Sequence, residues 1–312
     1  MNPKSILVII AAGIATTLAF AAASRAGSGG ILLLLVASFP IYVATLSWGT
    51  GVGIGSSILA IVATSTLVGP QAAVVMGLIV SIPASVIAHQ ANLAQENEDG
   101  TMDWYPLPLL FFNLTTLLSV GIIAMGFIGG YQTDELLPQI EAAFREYARQ
   151  TPDLAALDED GLKEAAAAVL AVLPFMFAGM WLIVHVTNLH LASVVCRASK
   201  MMPRPKDDLP MTASLPKIAV GILLFSLLGT LVLSGALLQI ATVIAGSFMM
   251  AFSLLGLAAL HLKVRKTDIG FPLLVATYLI ILLFYLPLFF FAIGGIMRAL
   301  SNTPITPVDD GT

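Results

Sequence analysis

The sequence predicts an all-α, polytopic membrane protein with about nine transmembrane helices and one short helical insert outside the membrane. Three observations support this fold class. Hydrophobic residues make up 58% of the chain and charged residues only 10%, whereas soluble domains carry roughly 25% charged residues. The mean hydropathy is +0.96, and the apolar residues occur in runs of about 20, the length that crosses the hydrocarbon core as a helix. All 18 acidic residues lie outside these runs.

Nine apolar runs are separated by segments with turn-forming residues. The first four are divided by the segments SRAGSGG, GTGVG and VGPQ. The weakest break is SGALLQ, between the seventh and eighth runs, so eight spans remain the alternative. The runs are 5–23, 31–48, 52–68, 72–89, 107–129, 166–194, 217–237, 239–262 and 271–297. We expect residues 1–312 to form a single transmembrane domain, with a flexible tail over 300–312.

Two of the connecting segments are long. Residues 90–106 are acidic and end in Trp104 and Tyr105, which is typical of an anchor at the membrane interface. Residues 131–165 form an amphipathic helical insert on the outer, periplasmic side, where Thr133 and Asp158 are candidate helix caps. In its first helix Ile140, Phe144 and Tyr147 share one side, and the second helix continues into the sixth span. A cover over neighbouring helices is favoured over a lid on a substrate entrance.

The distribution of Lys and Arg predicts the orientation, because cytoplasmic segments carry the excess of basic residues. With nine spans and a cytoplasmic N-terminus, nine basic residues lie inside and five, among them Arg298, lie outside. The C-terminus is then expected on the periplasmic side.

No charged residue lies in the middle of a predicted span, where it would cost roughly 2.5–3.5 kcal/mol. Buried carboxylates carry protons and cations through many transporters, so a proton-coupled pump that acts alone is disfavoured. The pattern also offers no nucleophile–base pair for an enzyme, no metal-ligand spacing and no implied cofactor. The one cysteine, Cys196, cannot form an internal disulfide, and no basic patch indicates a nucleic-acid partner.

The sixth span contains the most distinctive polar pattern. Trp181, His185 and Asn188 lie within about 60° of one another on a helix, whereas His190 points to the other side. The first three are therefore candidate ligand-binding residues. The alternative is that this turn lies among the lipid headgroups, where His and Asn need no special role.

Other polar residues inside the spans are few. Asn113, Gln239 and Tyr278 are further candidate ligand contacts, although hydrogen bonding between neighbouring helices is the simpler interpretation.

In the first span Ala11, Ala15 and Ala19 repeat every four residues. Such a smooth strip allows the close approach of another helix, either from the same chain or from a partner protein.

Four segments carry a family resemblance: DGTMDWYP, NLHLASVVCRASK, LLGLAALHLKVR and the final apolar run with Pro287. In that order they resemble the YybS-like family of bacterial integral membrane proteins, in an alphaproteobacterial form. The resemblance implies a fold related to the substrate-binding components of energy-coupling-factor transporters. Those components bind a small vitamin or metal within about six helices, and they dock on a membrane coupling subunit through an alanine strip on the first helix. Here Ala11, Ala15 and Ala19 match that strip. The chain departs from the pattern in its number of spans and its long outer insert.

The leading hypothesis is an inner-membrane protein that captures a small molecule from the outer side and passes it to a membrane coupling subunit or another membrane protein. The alternative is a non-transporting scaffold or assembly factor that acts through its basic cytoplasmic loops and its outer insert. The sequence leaves the oligomeric state open.

Overall fold

The computed structural model describes residues 2–23, 27–129, 133–150 and 158–301. The described residues are helical apart from short connections and one antiparallel hairpin of strands β1 (Ala94–Glu96) and β2 (Met102–Trp104). A five-residue π-helix, Gly77–Ser81, separates α5 from α6. The α-helices are α1 (Pro3–Ala23), α2 (Gly27–Leu35), α3 (Phe39–Trp48), α4 (Thr50–Leu67), α5 (Pro70–Met76), α6 (Ile82–Ala91), α7 (Leu107–Gly129), α8 (Thr133–Gln150), α9 (Glu159–Ala198), α10 (Leu209–Thr212), α11 (Ile218–Val232), α12 (Gly235–Val264), α13 (Gly270–Leu283) and α14 (Pro287–Leu300).

The predicted fold class is confirmed. Seven helical segments within the described residues are long and apolar enough to cross a membrane, and three shorter apolar helices accompany them. The protein is therefore an all-α, multi-pass integral membrane protein. The predicted spans fall close to α1, α2–α3, α4, α5–α6, α7, α9, α11 and α12, whereas the ninth differs.

The predicted insert, residues 131–165, contains α8 and the first turns of α9. Asp158 caps α9 as expected, because its Oδ1 accepts a hydrogen bond from the Gly161 N–H at 2.8 Å. Arg145 of α8 forms an ion pair with Glu159 of α9 at 3.1 Å. The capping role predicted for the Thr133 side chain lies outside the described residues, as does the tail 302–312.

The two long helices α9 and α12 pack with their backbones in close contact. A Cβ atom at Gly246 would overlap the Phe175 carbonyl oxygen, so only glycine fits there. One turn further along both helices, Gly179 contacts Met250, so α9 and α12 run in the same direction. Close approach through small residues is a usual way to pack membrane helices, since lipid removes the hydrophobic driving force between them.

The break between the seventh and eighth predicted spans lies at the start of the predicted segment SGALLQ. Helix α11 has 15 residues and ends at Val232, and α12 has 30 residues and begins at Gly235. Gly235 has φ +59°, a left-handed conformation that glycine adopts without strain. The chain therefore turns at Leu233–Gly235, so the seventh span ends at Val232 and not at Leu237, and the eighth begins at Gly235.

The ninth predicted span, 271–297, is two helices and not one. Helices α13 and α14 have 14 residues each, so each is about 21 Å long, and the break between them prevents one continuous helix across a hydrocarbon core about 30 Å thick. Pro287 accounts for the break, because it has no N–H for the Leu283 carbonyl and its ring collides with the preceding helical turn. We call residues 270–300 the half-membrane hairpin.

Helix α14 returns toward the end of the bundle at which α13 starts. The Ser253 hydroxyl donates to the Leu288 carbonyl at 2.8 Å. Three residues further along both helices, Gly256 packs against the backbone of Phe291. Helices α12 and α14 are therefore parallel. Gly270, the first residue of α13, lies against the end of α12, so α13 runs in the opposite direction to both.

One end of the bundle, which we call the basic end, is joined by polar contacts between loops. The Asn92 side chain donates to the Thr45 and Leu46 carbonyls at 3.2 Å. Arg204, only 4% exposed, donates to the Tyr105 carbonyl at 2.9 Å and to the Ala91 carbonyl at 3.4 Å. Helices α3, α6 and the loop after α9 therefore meet at this end.

Ion pairs continue the basic end toward the C-terminal helices. Arg204 pairs with Asp207 at 2.8 Å. The next residue, Asp208, receives a hydrogen bond from Arg265 at 2.7 Å, and this bond lowers the pKa of the Asp208 carboxyl. Arg298, in the last turn of α14, donates to the carbonyls of Pro210 and Met211 at 2.8 Å. Helix α14 therefore ends at the basic end.

Helix α1 begins at the same end. Ile9 packs on Gly55 and Gly13 packs on Leu59, so α1 is parallel to α4, whose first residue Thr50 hydrogen-bonds His89 beside the basic end.

Arg298 therefore lies with the other basic residues at this end. Ten of the fourteen Lys and Arg residues belong to the segments that meet at the basic end. They are Lys4, Arg197, Lys200, Arg204, Lys206, Lys217, Lys263, Arg265, Lys266 and Arg298. The expected placement of the two chain ends on opposite sides depends on a ninth complete crossing, and α13 and α14 do not make one.

Candidate functional site

The polar face predicted on the sixth span is buried in the bundle. Trp181, His185 and Asn188 are each at most 2% exposed, while His190 is exposed. The helical spacing therefore correctly predicted that the three share a face opposite His190. Because these three side chains are buried against other helices, they do not face the lipid headgroups, which was the alternative interpretation of their polarity.

His185 binds two neighbouring helices. Its Nε2 lies 2.8 Å from the Ile79 carbonyl oxygen in the π-helix, and its Nδ1 lies 2.9 Å from the Tyr42 hydroxyl on α3. A carbonyl oxygen can only accept, so Nε2 carries the hydrogen, and in the neutral imidazole Nδ1 accepts from the tyrosine. Both ring nitrogens are thus occupied by protein partners.

A proline explains why Ile79 needs this donor. In an α-helix the Ile79 carbonyl would bond to the N–H of residue 83, but Pro83 has none. The π-helix lies in the turn that the proline disturbs. A carbonyl without a donor is costly in a membrane, so His185 supplies the hydrogen bond that Pro83 cannot give.

Asn188 likewise donates a hydrogen bond to a carbonyl that has lost its helical donor, at the break between α2 and α3. Pro40 lacks the N–H that the Val36 carbonyl would receive, and the Phe39 N–H bonds to Val36 instead. That shift leaves the Leu35 carbonyl free, and the Asn188 side-chain amide donates to it at 2.7 Å. The same amide donates to the Ser38 hydroxyl at 3.0 Å.

The His185–Asn188 cluster can therefore hold two interrupted spans, α2–α3 and α5–α6, against the continuous helix α9. Within the part of the chain that the structure describes, its imidazole hydrogen-bonds a carbonyl and a phenol and no carboxylate. Among the described residues no group of three or more His, Cys, Asp and Glu side chains is placed to hold a metal ion.

Two other predicted ligand contacts lie elsewhere. The Asn113 amide donates to the Tyr105 hydroxyl at 2.9 Å and to the Gln90 side chain at 3.2 Å, near the basic end. Tyr278 on α13 is 46% exposed and hydrogen-bonds His261 at 2.9 Å. Neither residue joins the His185–Asn188 cluster, and each connects helices or loops, as the simpler interpretation expects.

The alanine strip is available on the surface of α1. Ala11 and Ala15 are exposed, and Ala19 is half-buried against other helices. The close packing of α1 on α4 uses the other face, with Gly13 and Thr17, whose hydroxyl donates to the Ala60 carbonyl at 3.2 Å. Among the described residues, Ala11 and Ala15 are thus left free by the helices that pack on α1, whereas Ala19 contacts them.

Gln239 lies in a cleft at the end of the bundle opposite the basic end. The cavity there measures about 130 Å³ and opens between α7, α9 and α12. Apart from the Gln239 amide its walls are apolar. The lining residues are Ile122, Ile123, Met125, Gly126, Phe127, Leu173, Pro174, Phe177, Gln239, Ile240 and Val243.

Trp181 lies beneath this cleft. Its ring packs edge-on against Phe177 with the centroids 6.0 Å apart, and it shares a buried cluster with Ile122 and Val243. All three neighbours line the cleft. The Trp181 indole N–H is buried and has no acceptor among the described residues, which is unusual, since buried indole N–H groups generally find one.

A second cavity of about 370 Å³ lies beside the first, between α5 and α7. Met125 lines both cavities. Nothing in the spacing of the sequence distinguished Met125 or Phe177 from the apolar residues around them, and only their placement around Gln239 identifies them.

No protein-family model, curated protein or solved structure matches this chain. The resemblance to the YybS-like family remains a prediction from the four sequence segments.

Proposed function

We propose that the protein is a non-enzymatic membrane protein that binds a small, mostly apolar molecule in the cleft between α7, α9 and α12. The observation that supports this function is the apolar cleft with one polar wall residue, Gln239, above the unpaired N–H of Trp181. Ligand sites commonly combine apolar and aromatic walls with a few polar groups that fix orientation. The ligand would pack on Phe177 and hydrogen-bond the Gln239 amide.

The neighbouring cavity gives the ligand room. Ligand pockets usually measure about 300–1,000 Å³, more than the cleft alone. Met125 lines both cavities, and methionine side chains rearrange at little cost. A turn of Met125 would join them into one site that suits a longer apolar molecule.

We infer that the basic end faces the cytoplasm, because ten of the fourteen Lys and Arg residues belong to it. Both chain ends are then cytoplasmic, and the cleft opens toward the outer side. Capture from that side and transfer to a membrane partner is the function that the family resemblance implies. The exposed Ala11 and Ala15 provide a smooth surface for a partner helix.

Filling the cleft should release the bound molecule. Ile123→Trp places a large ring in the cavity, and Gln239→Ala removes the polar contact. We expect native mass spectrometry of protein in nanodiscs to show a retained small molecule in the unaltered chain. Retention should be lost in Ile123→Trp and reduced about tenfold in Gln239→Ala, the effect of one hydrogen bond of about 1.4 kcal/mol.

The matched control is Leu228→Trp, which adds the same ring to an exposed position on α11 and should leave retention unchanged. Equal retention in all variants would contradict the proposed cleft. Recovery of a stable protein complex without any small molecule would favour the scaffold alternative.

A further inference from the structure

The tip of the half-membrane hairpin leaves polar backbone groups without partners. The Phe284 N–H still bonds to the Ile280 carbonyl at 2.7 Å. The N–H groups of Tyr285 and Leu286 have no acceptor among the described residues. The Leu283 carbonyl lacks its helical donor, because Pro287 has no N–H. Unpaired donors and an unpaired acceptor thus lie within four consecutive residues.

This tip lies at the depth of the hydrocarbon core. The Tyr285 hydroxyl lies 3.4 Å from the Cβ position at Gly179, near the middle of the 40-residue helix α9. The same glycine contacts Met250, near the middle of the 30-residue helix α12. The tip is therefore about half a membrane away from the basic end.

Among the described residues, little covers the tip apart from the contacts of the half-buried Tyr285. Phe284 is 63% exposed and Leu286 is 65% exposed, and the only buried residue of α13 is Gly270. Lipid can cover apolar side chains, so the exposure of α13 alone indicates no partner. Unpaired backbone groups are different, because non-helical backbone at this depth is tolerated only when protein buries it or water reaches it.

We propose that two copies of this chain pair through the tips of their half-membrane hairpins. A two-fold contact places the same surface of each subunit against the other, so the surface must complement itself. The tip meets this condition, because it presents the Tyr285 and Leu286 N–H donors together with the Leu283 acceptor. The contact carries no charge, and the apolar side chains of α13, including Leu279 and Leu282, extend it toward the basic end. The proposal does not depend on the ligand cleft.

Cross-linking with a matched control tests the pairing. In a chain with Cys196→Ala, a single cysteine replaces Leu282 beside the tip or Phe225 on α11, two side chains that are both 81% exposed. A short bifunctional maleimide is added to native membranes. We expect about tenfold more covalent homodimer from Leu282→Cys than from Phe225→Cys, because a persistent contact holds the two thiols at high effective concentration.

Leu286→Cys provides a second tip variant in case the first is poorly folded, and it should also form the dimer. Equal dimer yields at the tip and on α11 would overturn the pairing. So would a tip cysteine that joins to a different protein, or one that a charged, water-soluble thiol reagent modifies rapidly, because the tip would then face another partner or a water-filled path.

Discussion

Replacing Gly256 with leucine is expected to separate α14 from α12 and to lower the free energy of unfolding by about 3 kcal/mol, the upper part of the usual range for overpacking. A Cβ atom at Gly256 would overlap the Phe291 carbonyl oxygen. Backbone atoms cannot move aside as a flexible side chain can, so α14 must shift as a unit. That shift would also break the hydrogen bond from Ser253 to the Leu288 carbonyl.

Gly221→Leu is the matched control for this substitution. Gly221 lies on the apolar helix α11, and no atom lies within 4 Å of the position its Cβ would take. Equilibrium unfolding in mixed micelles should show a stability loss for Gly256→Leu only. Equal stability of the two variants would mean that α12 and α14 do not touch through their backbones.

His185→Ala is expected to destabilise the protein by about 3 kcal/mol, at the lower end of values for deleting a buried aromatic side chain. It opens a cavity between α3, α9 and the π-helix. It also leaves the Ile79 carbonyl and the Tyr42 hydroxyl without partners, and each buried group that loses its partner adds to the cost.

Two milder variants separate these contributions. Tyr42→Phe removes one hydrogen bond and keeps the ring, so a loss of about 1 kcal/mol is expected. His190→Ala changes an exposed residue on the same helix and should stay within about 0.5 kcal/mol of the unaltered protein. The measurement is unfolding in mixed micelles. If His185→Ala were as stable as His190→Ala, the imidazole would not hold the interrupted helices together.

The apolar runs predicted the fold class and most helix positions, because the thickness of the hydrocarbon core sets the length of a spanning helix. Helical spacing also predicted the shared face of Trp181, His185 and Asn188. Hydropathy could not predict the half-membrane hairpin, since 271–297 is apolar throughout and long enough to cross. Pro287 was the available signal. A proline inside a membrane helix can produce either a kink or a reversal of the chain, and the sequence alone does not distinguish the two.

The roles of His185 and Asn188 required the tertiary structure. Pro40 and Pro83 each interrupt a predicted span, and interrupted helices expose carbonyl groups that need donors. The sequence shows the prolines and the polar residues separately, more than 100 positions apart, and only the packing of α9 against α3 and the π-helix brings them together. The cleft around Gln239 was likewise hidden, because its other walls are ordinary apolar residues.

The side of the membrane on which residue 301 lies tests the central claim most directly. We hold that the charged groups lie at the two ends of a helical bundle and that residues 270–300 enter and leave the membrane at the basic end. Reporters that distinguish the two sides would be placed before Asn2, after Ser301 and in the loop after α9. All three should report the same side. A reporter after Ser301 on the opposite side from the other two would show a complete ninth crossing and would contradict the half-membrane hairpin.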